Sequence, residues 1–383
     1  MRSAYPRPMR CGYFDRHECR SCTLMNVPYA DQVASGDDAV RATLADRVDS
    51  WLPSATGPEA GFRNKAKLVV AGRRGAPTLG ILDAGGNGVD LTGCGLYEPG
   101  LAAALPTLRE FVADIGLTPY DVPTRNGELK NLLVTHSPDG ELMVRFVLRS
   151  TGQLGKLQRA LSDLQQRLPN ARVVTANLLP GHRAVMEGEE EVVLTEHDTL
   201  PMRLGAVRLH LRPASFFQTN TTVAEQLYRQ AATWIGELAP GVLLDLFCGV
   251  GGFGLTAAGA GVREVFGVEI SADAVSSARR SAAEIDSPTT TFRYVAGDAF
   301  HALADAPSAD VVVVNPPRRG IGEHLCDWLE HAEVEHLVYS SCNPRSLATD
   351  LDRMPGFVVE RARVFHMFPQ STHHEVLVQL ARR

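Results

Sequence analysis

A chain of 383 residues exceeds one typical domain and predicts two, each long enough to bury its own core. Hydrophobic residues at 44% and charged residues at 21% are ordinary globular values, which excludes a largely disordered chain. The net charge of −6 argues against indiscriminate nucleic-acid coating, so any affinity for nucleic acid must be local.

At the N-terminus, MRSAYPRPMRCGYFD has no apolar stretch of the kind a signal peptide requires. Residues 241–262 are the only long weakly charged run, and with Asp245 and seven glycines they read as a strand and a turn, not a membrane helix. A soluble cytoplasmic protein without a membrane partner is expected, and nothing in the sequence calls for an obligate protein partner. Seven cysteines in such a compartment are not expected to form disulfides. Cys11, Cys19 and Cys22 stand as C-x7-C-x2-C in RCGYFDRHECRSCTL, and Cys94 follows in LTGCGLYEP. Four thiols can complete a tetrahedral sulfur site, for which zinc and an iron-sulfur cluster are both candidates, and spacing alone does not separate them.

FRNKAKLVVAGRRGAP, residues 62–77, holds five basic residues and no acid, and Arg145, Arg149, Lys156 and Arg159 form a second acid-free run. Each is a candidate for phosphate contacts or simply a solvated face. Short apolar-polar runs such as LVVAG, LMVRFVLRS and ARVVTANLL predict strands, and leucines at helical spacing predict an amphipathic helix over residues 153–168. The first half is therefore read as an α+β domain over residues 1–212.

Residues 213–383 change to strands that each lead into a helix, the pattern of a doubly wound α/β sheet of the Rossmann-like kind. VLLDLF enters the glycine turn CGVGGFG, where Gly249, Gly251, Gly252 and Gly254 let a ligand approach the backbone. Glu269, at the end of the next strand, lies 24 positions after Asp245 and can accept hydrogen bonds from a ribose. NAD and S-adenosylmethionine (SAM) both suit that much. DVVVVNPPRRG then ends in Asn315-Pro316-Pro317, a motif similar to those of SAM-dependent methyltransferases, for which a hydride enzyme has no evident use.

Asparagine at such a motif suits methylation of exocyclic amines, which needs no thiol. Pyrimidine carbon-5 is different, because it becomes a nucleophile only after a thiolate has added to carbon-6, and a base must then remove the carbon-5 proton. VYSSCNPR places Cys342 at a strand end, and THHEVLVQL places Glu375 just before the last strand. Cys248 and Cys326 are read as packing residues, and His366, His373 and His374 as orienting or structural groups.

Taken together, the four cysteines, GFRNKAK, SFFQTN, DLFCGVGGFG, NPPRRGIG, SSCN and HEVL resemble, in that order and over nearly the whole length, the RNA uracil-5-methyltransferases. The resemblance is strongest to the branch that acts on 23S ribosomal RNA and lacks an N-terminal TRAM domain. It implies a [4Fe-4S] cluster on Cys11, Cys19, Cys22 and Cys94, with zinc as the alternative, in an iron-sulfur and RNA-binding domain of residues 1–212. It implies SAM contacts from Gln218, Phe247, Gly249, Gly251, Glu269 and Asn315 in a methyltransferase domain of residues 213–383. Cys342 matches the nucleophile and Glu375 the base, in an enzyme that flips a uridine out of the RNA. A sister branch acting on transfer or other ribosomal RNA, an exocyclic-amine methyltransferase and an RNA-binding iron-sulfur or zinc protein whose methyltransferase fold is inactive are the rival expectations.

Overall fold

The structure is a computed structural model that describes residues 9–182 and 185–383; residues 1–8, part of the stretch read for an export signal, lie outside them. Packing divides the described residues into two units, one of residues 27–57 with 203–383, the other of residues 9–26 with 58–202. Two things differ from the division expected near Arg212: the later boundary falls between Met202 and Arg203, and residues 27–57 belong with the C-terminal unit.

In chain order the elements run α1 (Gly12–Asp15), α2 (Tyr29–Leu44), β1 (Val48–Trp51), β2 (Lys65–Arg73), β3 (Ala76–Leu82), β4 (Gly88–Asp90) and α3 (Pro99–Asp114). There follow β5 (Leu129–His136), β6 (Leu142–Leu148), α4 (Leu154–Arg167), β7 (Ala171–Leu178), β8 (Glu190–Val193), β9 (Leu200–Leu204), β10 (Val207–Leu211) and α5 (Thr221–Leu238). The remainder is β11 (Val242–Leu246), α6 (Gly252–Ala258), β12 (Glu264–Glu269), α7 (Ala272–Ala282), β13 (Thr291–Ala296), β14 (Val311–Val314), α8 (Glu323–His331), β15 (His336–Ser341), α9 (Pro344–Asp352), β16 (Phe357–Phe365) and β17 (Glu375–Arg382).

The unit containing residues 58–202 is built on a seven-stranded sheet in the order β4-β3-β2-β5-β6-β7-β8. One face of the sheet is apolar: Leu68, Val70, Leu132, Val134, Val144 and Phe146 pack with Leu101, Leu105, Leu108 and Phe111 of α3 and Leu157 and Leu164 of α4. The helix expected over residues 153–168 is thus α4, and its leucines are what hold it to the sheet. Alternation along the strands sends Arg145, Thr175, Asn177 and Glu191 to the other face. There Arg145, only 2% exposed, makes a two-point ion pair with Glu191 (Nε to Oε1 3.0 Å, Nη2 to Oε2 2.6 Å) and a further one with Glu187. Asn177 Nδ2 donates to Glu191 Oε2 at 2.8 Å, and Thr175 Oγ1 donates to its other oxygen. Arg149 pairs with Glu128, and Lys156 Nζ donates to the Gly116 carbonyl at 2.9 Å. The second basic run is therefore largely committed to intramolecular partners, and Arg145 is a structural ion-pair centre rather than a surface cation.

The other unit carries an eight-stranded sheet in the order β1-β16-β17-β15-β14-β11-β12-β13. Its strands from β15 through β13 are parallel, and β17 runs antiparallel to both β15 and β16. Strand order reverses between β11 and β14, and the chain leaves both strands at the same edge, which is where open α/β sheets bind ligands. Residues 27–57 join this unit because β1 adds in parallel to β16, with Val48 opposite Val359, while Val40 and Leu44 of α2 are fully buried in the same core as Leu347, Met354 and Val378. Among the described residues no helix is long and apolar enough to cross a membrane.

Candidate active site

The turn after β11 is shaped by backbone geometry that few sequences accept. Phe247 (φ +59°), Gly249 (φ +55°) and Gly251 (φ +86°) all sit in the left-handed region, and a Cβ on Gly251 would stand 2.9 Å from Leu255 Cδ1 and 3.0 Å from the Tyr294 hydroxyl. Phe247 holds that conformation without the freedom of glycine, a local cost of about 1 to 2 kcal/mol, at a position that lines the cavity described next. Beneath the turn, Asp245 accepts from Gly254 N at 2.9 Å and is fully buried, which pushes its carboxyl up to about 7.

A cavity of about 560 Å³ opens at the carboxyl edge of the sheet. Six residues singled out from the sequence line it together: Gln218, Phe247, Glu269, Asn315, Cys342 and Glu375. They arrive from six separate places in the chain, and the switch in strand order is what gathers them. Gly249 and Gly251 do not line it; they bend the chain so that Phe247 does, and Gly249 N donates to Glu269 Oε2 at 3.1 Å. Glu269 Oε1 takes Ser271 N at 2.9 Å, which fixes the carboxylate plane at the end of β12.

Cys342 stands in the tight turn between β15 and α9. Asn343 caps the helix, its Oδ1 accepting from Arg345 N at 3.2 Å, and Pro344 takes the first helical position, where a missing N–H costs nothing. Ser341 Oγ donates to Asn343 O at 3.0 Å and accepts from Asn343 N at 3.2 Å, so the thiol is presented at a strand end by a turn bonded on both sides. Burial raises the thiol above its ordinary value, the Glu375 carboxylate raises it further, and Arg318 pulls it down.

Glu375 opens β17 and is 3% exposed. Burial pushes its carboxyl up to about 7, and Gln218, Ser340 and the charge of Arg318 offset this only in part. Its Oε1 accepts from Gln218 Nε2 at 3.5 Å, a long contact. The segment between β16 and β17, which brings Phe368 to the cavity, is fastened to α2: His366 Nε2 lies 2.9 Å from Asp37 Oδ1, and Gln370 N donates to Gln32 Oε1 at 2.8 Å. Asn220 Nδ2 donates to Met367 O at 3.1 Å from the other side. His374 is pushed down to about 4 by burial and then by His366 and His373, so it stays neutral.

The sequence reading did not single out Phe216, Ile270, Asp298, Arg318 or Phe368, which line the same cavity. Arg318 was legible as part of NPPRRGIG, and Asp298 as an acid just past a strand end, held by Phe300 N and His301 N close by in sequence.

Cys11, Cys19, Cys22 and Cys94 are free, half-buried thiols in the other unit. Burial and repulsion from Cys94, Cys19 and Cys11 push Cys22 up to about 11, and Cys94 is raised by burial and by Cys11 and Cys19. The four are thus within electrostatic reach of one another, as the spacing anticipated. Among the described residues no group of three or more His, Cys, Asp or Glu side chains is arranged to hold a metal ion.

Three comparisons bear on this site. The family model described as tRNA (Uracil-5-)-methyltransferase matches residues 189–383. Full-length relatives named 23S rRNA (uracil(747)-C(5))-methyltransferase RlmC are 46% identical in Halothiobacillus neapolitanus, 45% in Yersinia pseudotuberculosis and 44% in Escherichia coli, each match covering 98% of this chain and all of the relative. The crystal structure of Pyrococcus abyssi tRNA (uracil-54, C5)-methyltransferase with S-adenosyl-L-homocysteine superimposes with a TM-score of 0.78 over 94% of this chain and 85% of that one, at 24% identity.

Proposed function

From the premise that the chain belongs to the RNA uracil-5-methyltransferases, SAM-dependent enzymes that act on carbon-5 of uridine, we propose that its substrate is 23S ribosomal RNA in the cytoplasm, and the target the uridine that its relatives' names put at position 747. The observation that carries the reading is the meeting of Cys342 and Glu375 in one cavity with Asn315, Glu269 and Phe247. SAM supplies a methyl group on a sulfonium. Glu269 would hold its ribose, and Phe247, Gln218 and Asn315, which line the same cavity, would hold the rest of the cofactor. Cys342 attacks carbon-6, carbon-5 takes the methyl group, and Glu375 removes the carbon-5 proton so that the thiol leaves. A carboxyl held at about 7 by burial suits that proton transfer better than one at its ordinary value, because a base works best near the pH at which it operates.

Exposed Arg73 and Arg74 of the first basic run contact the RNA backbone; Arg145 has no part in this. Cys11, Cys19, Cys22 and Cys94 hold a [4Fe-4S] cluster that cross-links the N-terminal loop to residue 94. All four donors are sulfurs of one unit that act on one another electrostatically, which suits a single four-sulfur site. Anaerobically purified protein is expected to contain about four iron and four acid-labile sulfide per chain. Stoichiometric zinc without sulfide contradicts the assignment.

The test of the reaction is release of tritium from 23S RNA carrying 5-tritiated uridine, since only carbon-5 substitution expels that hydrogen. The rate relative to substrate, kcat/KM, is expected to rise with pH. The rise is steeper below about 7, where Glu375 and Cys342 both carry protons, than above it, where only the thiol does. Methyl transfer without tritium release, or a rate that falls as pH rises through 7, contradicts the reading.

A further inference from the structure

The inner face of α2 is one stripe of every fourth residue: Leu44 and Val40 lie in the apolar core, Gly36 stands against His366, and Gln32 meets Gln370. A Cβ on Gly36 would lie 2.9 Å from His366 Cε1, so glycine there lets the helix close on the segment between β16 and β17. The contact at Gln32 is reciprocal. Gln370 N donates to Gln32 Oε1 at 2.8 Å, Gln32 Nε2 donates to Gln370 Oε1 at 3.1 Å, and the same Nε2 donates to Val27 O at 2.8 Å. Both side chains are buried, that of Gln370 fully. Gln370 is a residue that needs such a hold. It follows Pro369 in a tight turn and has φ +68°, and a proline followed by a positive-φ residue is the pattern of a type II turn, whose third position normally takes glycine or asparagine. Glutamine is strained there, and Gln32 meets both its main-chain N–H and its side chain. The turn lies between Phe368 and Glu375, which both line the cavity, so a turn that relaxed at Gln370 would displace both.

We propose that Gln32 is a positioning residue of this reaction: through Gln370 it fixes the turn that sets Phe368 and Glu375 at the cavity of Cys342. The step that depends on it is the last. After carbon-5 has been methylated, its proton passes to Glu375, the C–H pair remakes C5=C6, the Sγ–C6 bond breaks, and its electron pair returns to the sulfur. Addition and methyl transfer draw instead on Cys342, whose turn is shaped by Ser341 and Asn343. Loss of the Gln32 amide therefore slows release of the thiol more than its addition.

This rests on Glu375 being the base, and the experiment separates the two ideas. Gln32→Met keeps the length of the side chain and removes its amide. On the whole protein without RNA, deuterium uptake of residues 366–374 should rise while that of β15 stays unchanged. With 23S RNA and methyl-tritiated SAM, kcat should fall about 5- to 30-fold, the population change that the strain of one non-glycine left-handed residue can drive, at an unchanged KM for SAM. More of the enzyme should then stand as labelled covalent adduct on a denaturing gel than in the wild type. Adding Gln370→Gly to Gln32→Met should restore much of the lost kcat, since glycine holds a positive φ unaided. A variant that was merely less stable would lose activity in proportion to its folded fraction, with neither extra adduct nor rescue by glycine. Unchanged uptake in residues 366–374, a fall in kcat without extra adduct, or no recovery with Gln370→Gly overturns the proposal. Glu375→Gln, run beside it, tests the reading beneath: no adduct there overturns Glu375 as the base and this step with it, whereas adduct there but none gained in Gln32→Met overturns the proposal alone.

Discussion

Cys342→Ala is expected to lower methylation by about 10,000-fold or more, with SAM binding retained, because no other described group at the cavity can activate carbon-5. The thiol is not needed to form the fold: it sits half-exposed in a capped turn, and its neighbours Ser341 and Asn343 make the hydrogen bonds that shape that turn. Glu375→Gln is expected to lose about 100- to 10,000-fold, the range usual for a positioned base, but by a different failure. The amide keeps the size and the contact to Gln218, so addition and methylation proceed while release stalls. Turnover assays and calorimetric SAM titration on both variants check this. Equal SAM affinity with both activities lost is the expected result; near-normal turnover in Cys342→Ala would favour an exocyclic-amine reaction that needs no thiol.

The largest effect on stability is expected from Arg145→Ala. Removing the guanidinium strands Glu191, a carboxylate that holds Arg145, Thr175 and Asn177 in one buried network on the sheet. An uncompensated buried charge costs about 3 to 5 kcal/mol, far more than the 0 to 1 kcal/mol of an exposed pair. Amide exchange along β6 and β7 should accelerate by about 100- to 4,000-fold, since each 1.4 kcal/mol is a factor of ten. Exchange in β11 to β15, in the other unit, should be unchanged. An unaltered rate in β6 would mean that Arg145 is a surface cation after all, as the acid-free run in the sequence had suggested.

What the sequence made legible follows from range. The doubly wound half was readable because each of its strands, such as VLLDLF and DVVVV, ends in a turn whose residues announce the site, and strand order then gathers those ends at one edge. The placement of residues 27–57 was not readable. β1 is only VDSW, and its partner β16 lies some 300 residues on, so no local pattern signals the pairing. α2 shows few apolar residues among alanines and aspartates, and only the packed core reveals that Val40 and Leu44 face it. The second basic run misled for a related reason: composition counts Arg145 as a cation, whereas its partners Glu187 and Glu191 lie more than 40 residues away. Arg318 was visible as a letter in NPPRRGIG, yet the loop that brings it to the cavity is held by Asp350 and Asn343, which the motif does not contain.

The most direct test of covalent catalysis by Cys342 is a denaturing gel of Glu375→Gln incubated with SAM and a 23S RNA fragment containing the target uridine. A band shifted by the mass of the RNA, sensitive to protease, carrying label from methyl-tritiated SAM and absent when Cys342→Ala is added to the same chain, is the predicted result. No shifted band in Glu375→Gln while its methylation continues, or the same band from a chain without Cys342, would contradict the account.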